Sequence, residues 1–190
     1  MIEAMVYVLR TGVPWRDVPA CFGPWNSVYT RWRRWCPCGL WAKLLAVLAR
    51  RASGVLRFLD ASHSQVHPDA SNPAGGQQHQ AIGRTKGGLN TKLTAWVDTA
   101  GRAVTLHLAP GQRADGRAAL RRRGGQSCLS PRARRHHPAS WHRGHYRQRR
   151  KVENFFQRAK RHRRIGTRYE KRDLYFLSFV HLFAILDWLK

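Results

Sequence analysis

With 190 residues, 43% of them hydrophobic, the chain is long enough for one good core, or for a small domain attached to a larger one. It carries 35 Lys and Arg against 10 Asp and Glu, a net charge of +25, so the expected partner is a polyanion. Eight Trp and five Tyr favour nucleic acid over an anionic membrane surface, because bases and sugars give rings something to stack on.

Met1 leads into Ile2-Glu3-Ala4 with no cationic and apolar leader, so no signal peptide is expected. The most apolar run, Tyr175 to Leu189, is interrupted by Ser178, His181 and Asp187 and is too short to span a bilayer; it reads as a buried helix. Cys21, Cys36, Cys38 and Cys128 lack the paired spacing of a zinc site and do not suggest a disulfide framework, which makes a reducing cytosol the simplest home.

In chain order, residues 2 to 10 predict a short helix ending at Thr11-Gly12, followed by a turn-rich connector through Pro14 and Pro19. A second helix is expected after Phe22-Gly23-Pro24, capped by Asn26 or Ser27. Val28, Trp32 and Trp35 lie on one side, and Arg31, Arg33 and Arg34 project elsewhere. A third runs from about Leu40 to Arg51. Spacing leaves two readings of these helices open: a helix-turn-helix unit with residues 26 to 36 reading a DNA groove, or a plain three-helix bundle with a basic outer face.

Val55 to Asp60 reads as a short apolar strand ending in an acid. Such an end delivers side chains to ligands in α/β sheets, although an Asp there is more often a turn residue. Residues 68 to 82 are Pro, Asn, Gly and Gln rich and predict a loop. Gly83 to Gly88 invites a phosphate-loop reading, but no Lys-Ser or Lys-Thr follows and the next segment is a strand, so no nucleotide cofactor is expected. Thr91 to Val97 and Arg102 to Leu108, joined by Asp98-Thr99-Ala100-Gly101, predict a β-hairpin. Residues 121 to 145 form an anomalous basic loop, and within them QSCLSPRARRHHPASWHRGH has no apolar period. It reads as shifted-frame translation or a disordered basic loop, and the irregular spacing of Cys128, His136, His137, His142 and His145 argues against zinc.

The segment from Tyr146 to Lys160 is the most informative. Between Arg121 and Arg164 the chain holds sixteen Lys and Arg residues, with Glu153 the only acid. At about 100° per residue, Tyr146, Arg149, Glu153 and Lys160 share a stripe roughly 60° wide on a helix. Val152, Phe155, Phe156 and Ala159 form the adjacent apolar stripe. Such a helix packs through its aromatics and presents one acid among cations. Its plainer reading is a basic amphipathic helix whose Glu pairs with Arg149 or Arg150.

The Tyr-x2-Arg-x3-Glu-x6-Lys spacing, within YRQRRKVENFFQRAKRHRRIGTRYEK, resembles the signature around the catalytic Glu of bacterial insertion-sequence transposases of the DDE class, in the insertion-sequence-five group. LRTGVPWRDVP, FGPWNSVYTRWRRW, GRTKGGLNTKLTAWVD and LAPGQRAD look like other parts of that group, whose members begin further upstream. LDASHSQVH resembles its first catalytic Asp motif, which assigns Asp60 to the site. The resemblance covers about residues 1 to 120 and 145 to 190. It implies an N-terminal helical DNA-binding region at 1 to 51. A ribonuclease-H-like α/β catalytic domain at 52 to 190 would follow, with a mixed sheet flanked by helices. It further implies Asp60 and Glu153 as ligands of Mg²⁺ or Mn²⁺, two-metal phosphoryl transfer on double-stranded transposon ends and target, and a homodimer in a bacterial cytoplasm. Tyr146, Arg149 and Lys160 would hold phosphates, and Arg31, Arg33 and Arg34 would dock the N-terminal unit on DNA.

The text departs where the family carries a further strand ending in the second catalytic Asp. No Asp or Glu occurs between Asp115 and Glu153, which makes Asp115 the candidate substitute acid and one strand an expected loss. The expectation is therefore that this chain does not itself transpose DNA. Two rival classes stay open: a non-catalytic DNA-binding transposase remnant, and a basic RNA-binding protein.

Overall fold

The computed structural model describes residues 1–52, 57–113 and 150–190. Helix α1 (Ile2–Thr11) buries Ala4, Met5, Val8 and Leu9 on one stripe. It stops where Gly12 takes φ 74°, a left-handed conformation that glycine adopts without a Cβ penalty, and its N–H bonds the Val8 carbonyl. Two 3-10 turns, Trp15–Asp17 and Ala20–Phe22, fill the connector.

Helix α2 (Trp25–Trp35) starts directly after Pro24, whose carbonyl accepts the N–H groups of Ser27 and Val28. The cap expected at Asn26 or Ser27 is thus corrected. The extended Pro24 ends the preceding segment, so both polar residues fall inside the first turn. Helix α3 (Leu40–Ala49) follows Gly39, which also has a positive φ.

Among the described residues the sheet has five strands: β1 (Phe58–Val66), β2 (Gly83–Thr85), β3 (Gly88–Val97), β4 (Ala103–Pro110) and β5 (Thr167–Arg168). Their order is β2-β3-β1-β5, with β4 also on β3, and only the β1–β5 pairing is parallel. The β3–β4 hairpin forms as its sequence predicts. Asp98 is fully buried in the turn and accepts N–H bonds from Ala100 and Arg102 while pairing with the Arg102 guanidinium at 2.9 Å. Asp98 is thus a turn residue, as its place in the hairpin connection predicts.

β1 corrects a second expectation. The strand does not end at Asp60 but runs on through the polar text Ala61 to Val66, paired rung by rung with β3 as far as Gln65 opposite Asn90. Ladder hydrogen bonds to a neighbouring strand outweigh the weak strand propensity of Ser, His and Gln.

Helices α4 (Arg150–Lys160), α5 (Arg163–Gly166) and α6 (Asp173–Trp188) complete the described chain. α6 buries residues around most of its circumference, from Phe176 and Phe179 to Leu182 and Ile185, as a central helix must. One core runs from the N-terminal helices to the sheet: Met5, Trp32 and Leu45 belong to the same cluster as Phe58, Val97, Phe155 and Phe183. Trp32 links them most directly, its ring 4.2 Å from Phe179 and 5.6 Å from Trp41. Among the described residues, no helix is long and apolar enough to cross a membrane.

Candidate nucleic-acid interface and its acids

Helix α4 packs against β1 and β3 through Val152, Phe155, Phe156 and Ala159, all buried, as their spacing predicts. Glu153 is consequently turned outward and exposed. Lys160, the last residue of the helix, is also exposed, yet partial desolvation lowers its pKa. Tyr146 and Arg149, the other two members of the signature, lie outside the described residues, as do Asp115 and the Cys128 to His145 group.

Asp60 is the third residue of β1, half-buried and opposite Ala95. Antiparallel partners share a face, so Phe58, Asp60 and Ser62 project on the side of Val97, Ala95 and Leu93. Phe58, Leu93, Ala95 and Val97 share a core with Val152 and Phe155, so this is the face that α4 covers. The fold therefore puts Asp60 beneath the helix whose outer flank carries Glu153. Two Mg²⁺ ions held close together need more oxygen ligands in near-octahedral order than two carboxylates give. Among the described residues, no group of three or more His, Cys, Asp or Glu is placed to hold a metal ion. Among the described residues, the acids do not fit a two-ion site.

The cations divide into two kinds, which the sequence did not separate. Arg158 donates to both oxygens of Asp187, at 2.8 and 2.7 Å, and to the Gly101 carbonyl at 2.9 Å. Lys151 donates to the Thr99 carbonyl. Arg164 is buried, bonded to Glu170 at 2.6 Å and to the carbonyls of Gly12 and Val13. Arg168 is wholly buried and donates to Gln80, Thr91, Glu170 and Lys171, with burial pulling its pKa down to about 10. These groups tie α4, β5 and the hairpin together.

The second kind faces outward. Arg31, Arg33 and Arg34 are exposed on α2, with Arg31 over the Trp35 ring and Arg33 over Tyr29, each 5.8 Å from the centroid. Val28 and Trp32 are buried beneath them. The apolar and basic sides of α2 thus fall as predicted. Arg150, Arg161 and Arg163 are likewise exposed around α4 and α5.

Residues 1–45 match the family model described as "Putative transposase of IS4/5 family". The chain is also 33% identical over 96 residues, 50% of its own length and 68% of the relative's, to "Uncharacterized protein y4sN" of Sinorhizobium fredii (strain NBRC 101917 / NGR234). No solved structure matches it.

Proposed function

We propose, for a chain that belongs to the IS4/5 transposase family, that it binds the double-stranded ends of an insertion sequence and does not itself cut them. The observation that carries this reading is the set of exposed cations, Arg31, Arg33 and Arg34 on α2 and Arg150, Lys160, Arg161 and Arg163 around α4 and α5, which the fold leaves turned to solvent. Exposed cations attract phosphate whatever the base sequence.

Asp60 and Glu153 are the acids we assign to Mg²⁺ or Mn²⁺ in the family's reaction, where the metal would activate the attacking oxygen and steady the leaving one. The β1–β3–β4 meander, with helices on the Asp60 face, supports a ribonuclease-H-like reading of the sheet. Two carboxylates leave that reaction under-supplied. The chain therefore acts as an end-binding protein, with Glu153 a negative charge set among phosphate contacts.

The test uses purified full chain with a labelled element end. A shift in a gel, with log affinity falling steeply against log salt, is expected. So is an absence of nicking in Mg²⁺ or Mn²⁺. Affinity indifferent to salt would remove the DNA reading. Nicking lost in both Asp60→Ala and Glu153→Ala would overturn the non-cutting one and point to Asp115 as the third ligand.

A further inference from the structure

A cavity of about 430 Å³ opens between the N-terminal helices and the segment that joins β5 to α6. Its walls include the rings of Trp15, Tyr29, Tyr169 and Tyr175, each half-buried, with the buried Trp32 also lining it. The exposed cations Arg33, Lys171 and Arg172 border the same space. Glu170 also lines it, buried, with Oε1 held by Arg164 and Oε2 without a hydrogen-bond partner among the described residues.

We propose that this cavity receives one unpaired nucleotide of a bound DNA strand, with the base among the tyrosine and tryptophan rings and its flanking phosphates on Arg33, Lys171 and Arg172. The inference rests on the DNA-binding reading above and adds a subsite to it. Three features choose this occupant. A concave space lined by rings cannot take stacked bases of an intact duplex, but it can take one base removed from the stack, and every base offers a face to a ring. The cations at the mouth suit an anion and disfavour a cationic peptide side chain, despite the aromatic walls. The cavity volume is within the range of small-ligand sites and holds a single nucleotide rather than a strand.

The experiment compares three duplexes of equal length: one perfectly paired, one with a single-nucleotide flap, and one with an abasic flap of the same charge. Binding is read for the full chain and for Tyr29→Leu, Tyr29→Phe and Tyr175→Leu, with thermal melts to confirm folding. The wild-type chain and Tyr29→Phe should prefer the base-bearing flap over the abasic one by about tenfold, the scale of one base–ring stack. Tyr29→Leu and Tyr175→Leu should lose that preference while keeping their affinity for the paired duplex. A 2-aminopurine flap should be quenched on binding to the wild-type chain and not to Tyr29→Leu. Equal affinity of the wild-type chain for all three duplexes would overturn the subsite and leave the DNA reading standing. Failure to bind any of them would overturn the DNA reading itself. Tyrosine variants that fold, bind and retain the flap preference would show that the base sits elsewhere.

Discussion

Arg158 and Lys160 stand two residues apart on α4, and the structure gives them different work. Arg158→Ala removes a two-pronged pair from Asp187, whose side chain is only 4% exposed, and a bond to the Gly101 carbonyl. Stranding a buried carboxylate costs about 3–5 kcal/mol. Arg158 itself is 33% exposed, so solvent screening reduces the figure, and about 2–3 kcal/mol is expected. For a chain of this size that lowers the melting temperature by roughly 5–10 °C. Lys160→Ala removes an exposed ammonium at the helix end and should shift stability by no more than about 0.5 kcal/mol. Its effect should appear in DNA binding, as a loss of close to one unit from the slope of log affinity against log salt. Thermal melts and salt-titrated binding, measured well below the melting point of each variant, separate the two roles. An Arg158→Ala chain that melts like the wild type and loses a unit of salt slope would refute the division between structural and phosphate-facing cations.

Glu153→Ala should leave DNA affinity intact or raise it, since a carboxylate repels nearby phosphate where no metal ion lies between them; abolition of binding in metal-free buffer would make the Glu structural. His181 supplies a pH dependence: burial, with a smaller contribution from His107, pushes its folded pKa down to about 4, below the unfolded value of about 6.5. The unfolded chain binds the proton first as pH falls, so stability is lost between about pH 6.5 and 4, by about 3 kcal/mol over the full window. His162, also lowered chiefly by burial, acts in the same direction. Melting temperature should drop from pH 7 to pH 5 and drop less in His181→Gln; equal slopes in the two proteins would dismiss His181 as the cause.

Helices were legible because their apolar period is local. Val152, Phe155, Phe156 and Ala159 are the buried set of α4, and the side on which Trp32 lies on α2 could be read from spacing alone. β1 was only half legible. Its apolar start at Phe58 and Leu59 reads as strand, but Ser62, His63, Ser64 and Gln65 are held by β3, some thirty residues away in sequence, which no local pattern reveals. β5, two residues long, exists only because Gln65 and Val66 offer it an edge. The basic composition was legible as charge but not as duty. Arg158 finds Asp187 and Arg168 finds Thr91 across long stretches of chain, so a count of cations overstates how many can meet phosphate.

The same accounting applied to the acids narrows the chemistry. Asp98 closes the β3–β4 turn, Glu170 holds Arg164 and Asp187 holds Arg158. Asp69 lies beside His67, and Asp173 accepts the Leu174 N–H at the start of α6. Glu3 and Asp17 sit at the beginning of the chain, on α1 and its connector. Recruiting Asp187 or Glu170 to a metal would leave a buried guanidinium or a half-buried one without its partner, a loss of several kcal/mol before any ion is bound. A third carboxylate for Asp60 and Glu153 cannot then be drawn cheaply from the described acids. Asp115 is the one acid of the chain outside them, and so Asp115→Asn in the cleavage assay is the substitution on which any metal-dependent cutting by this chain would turn.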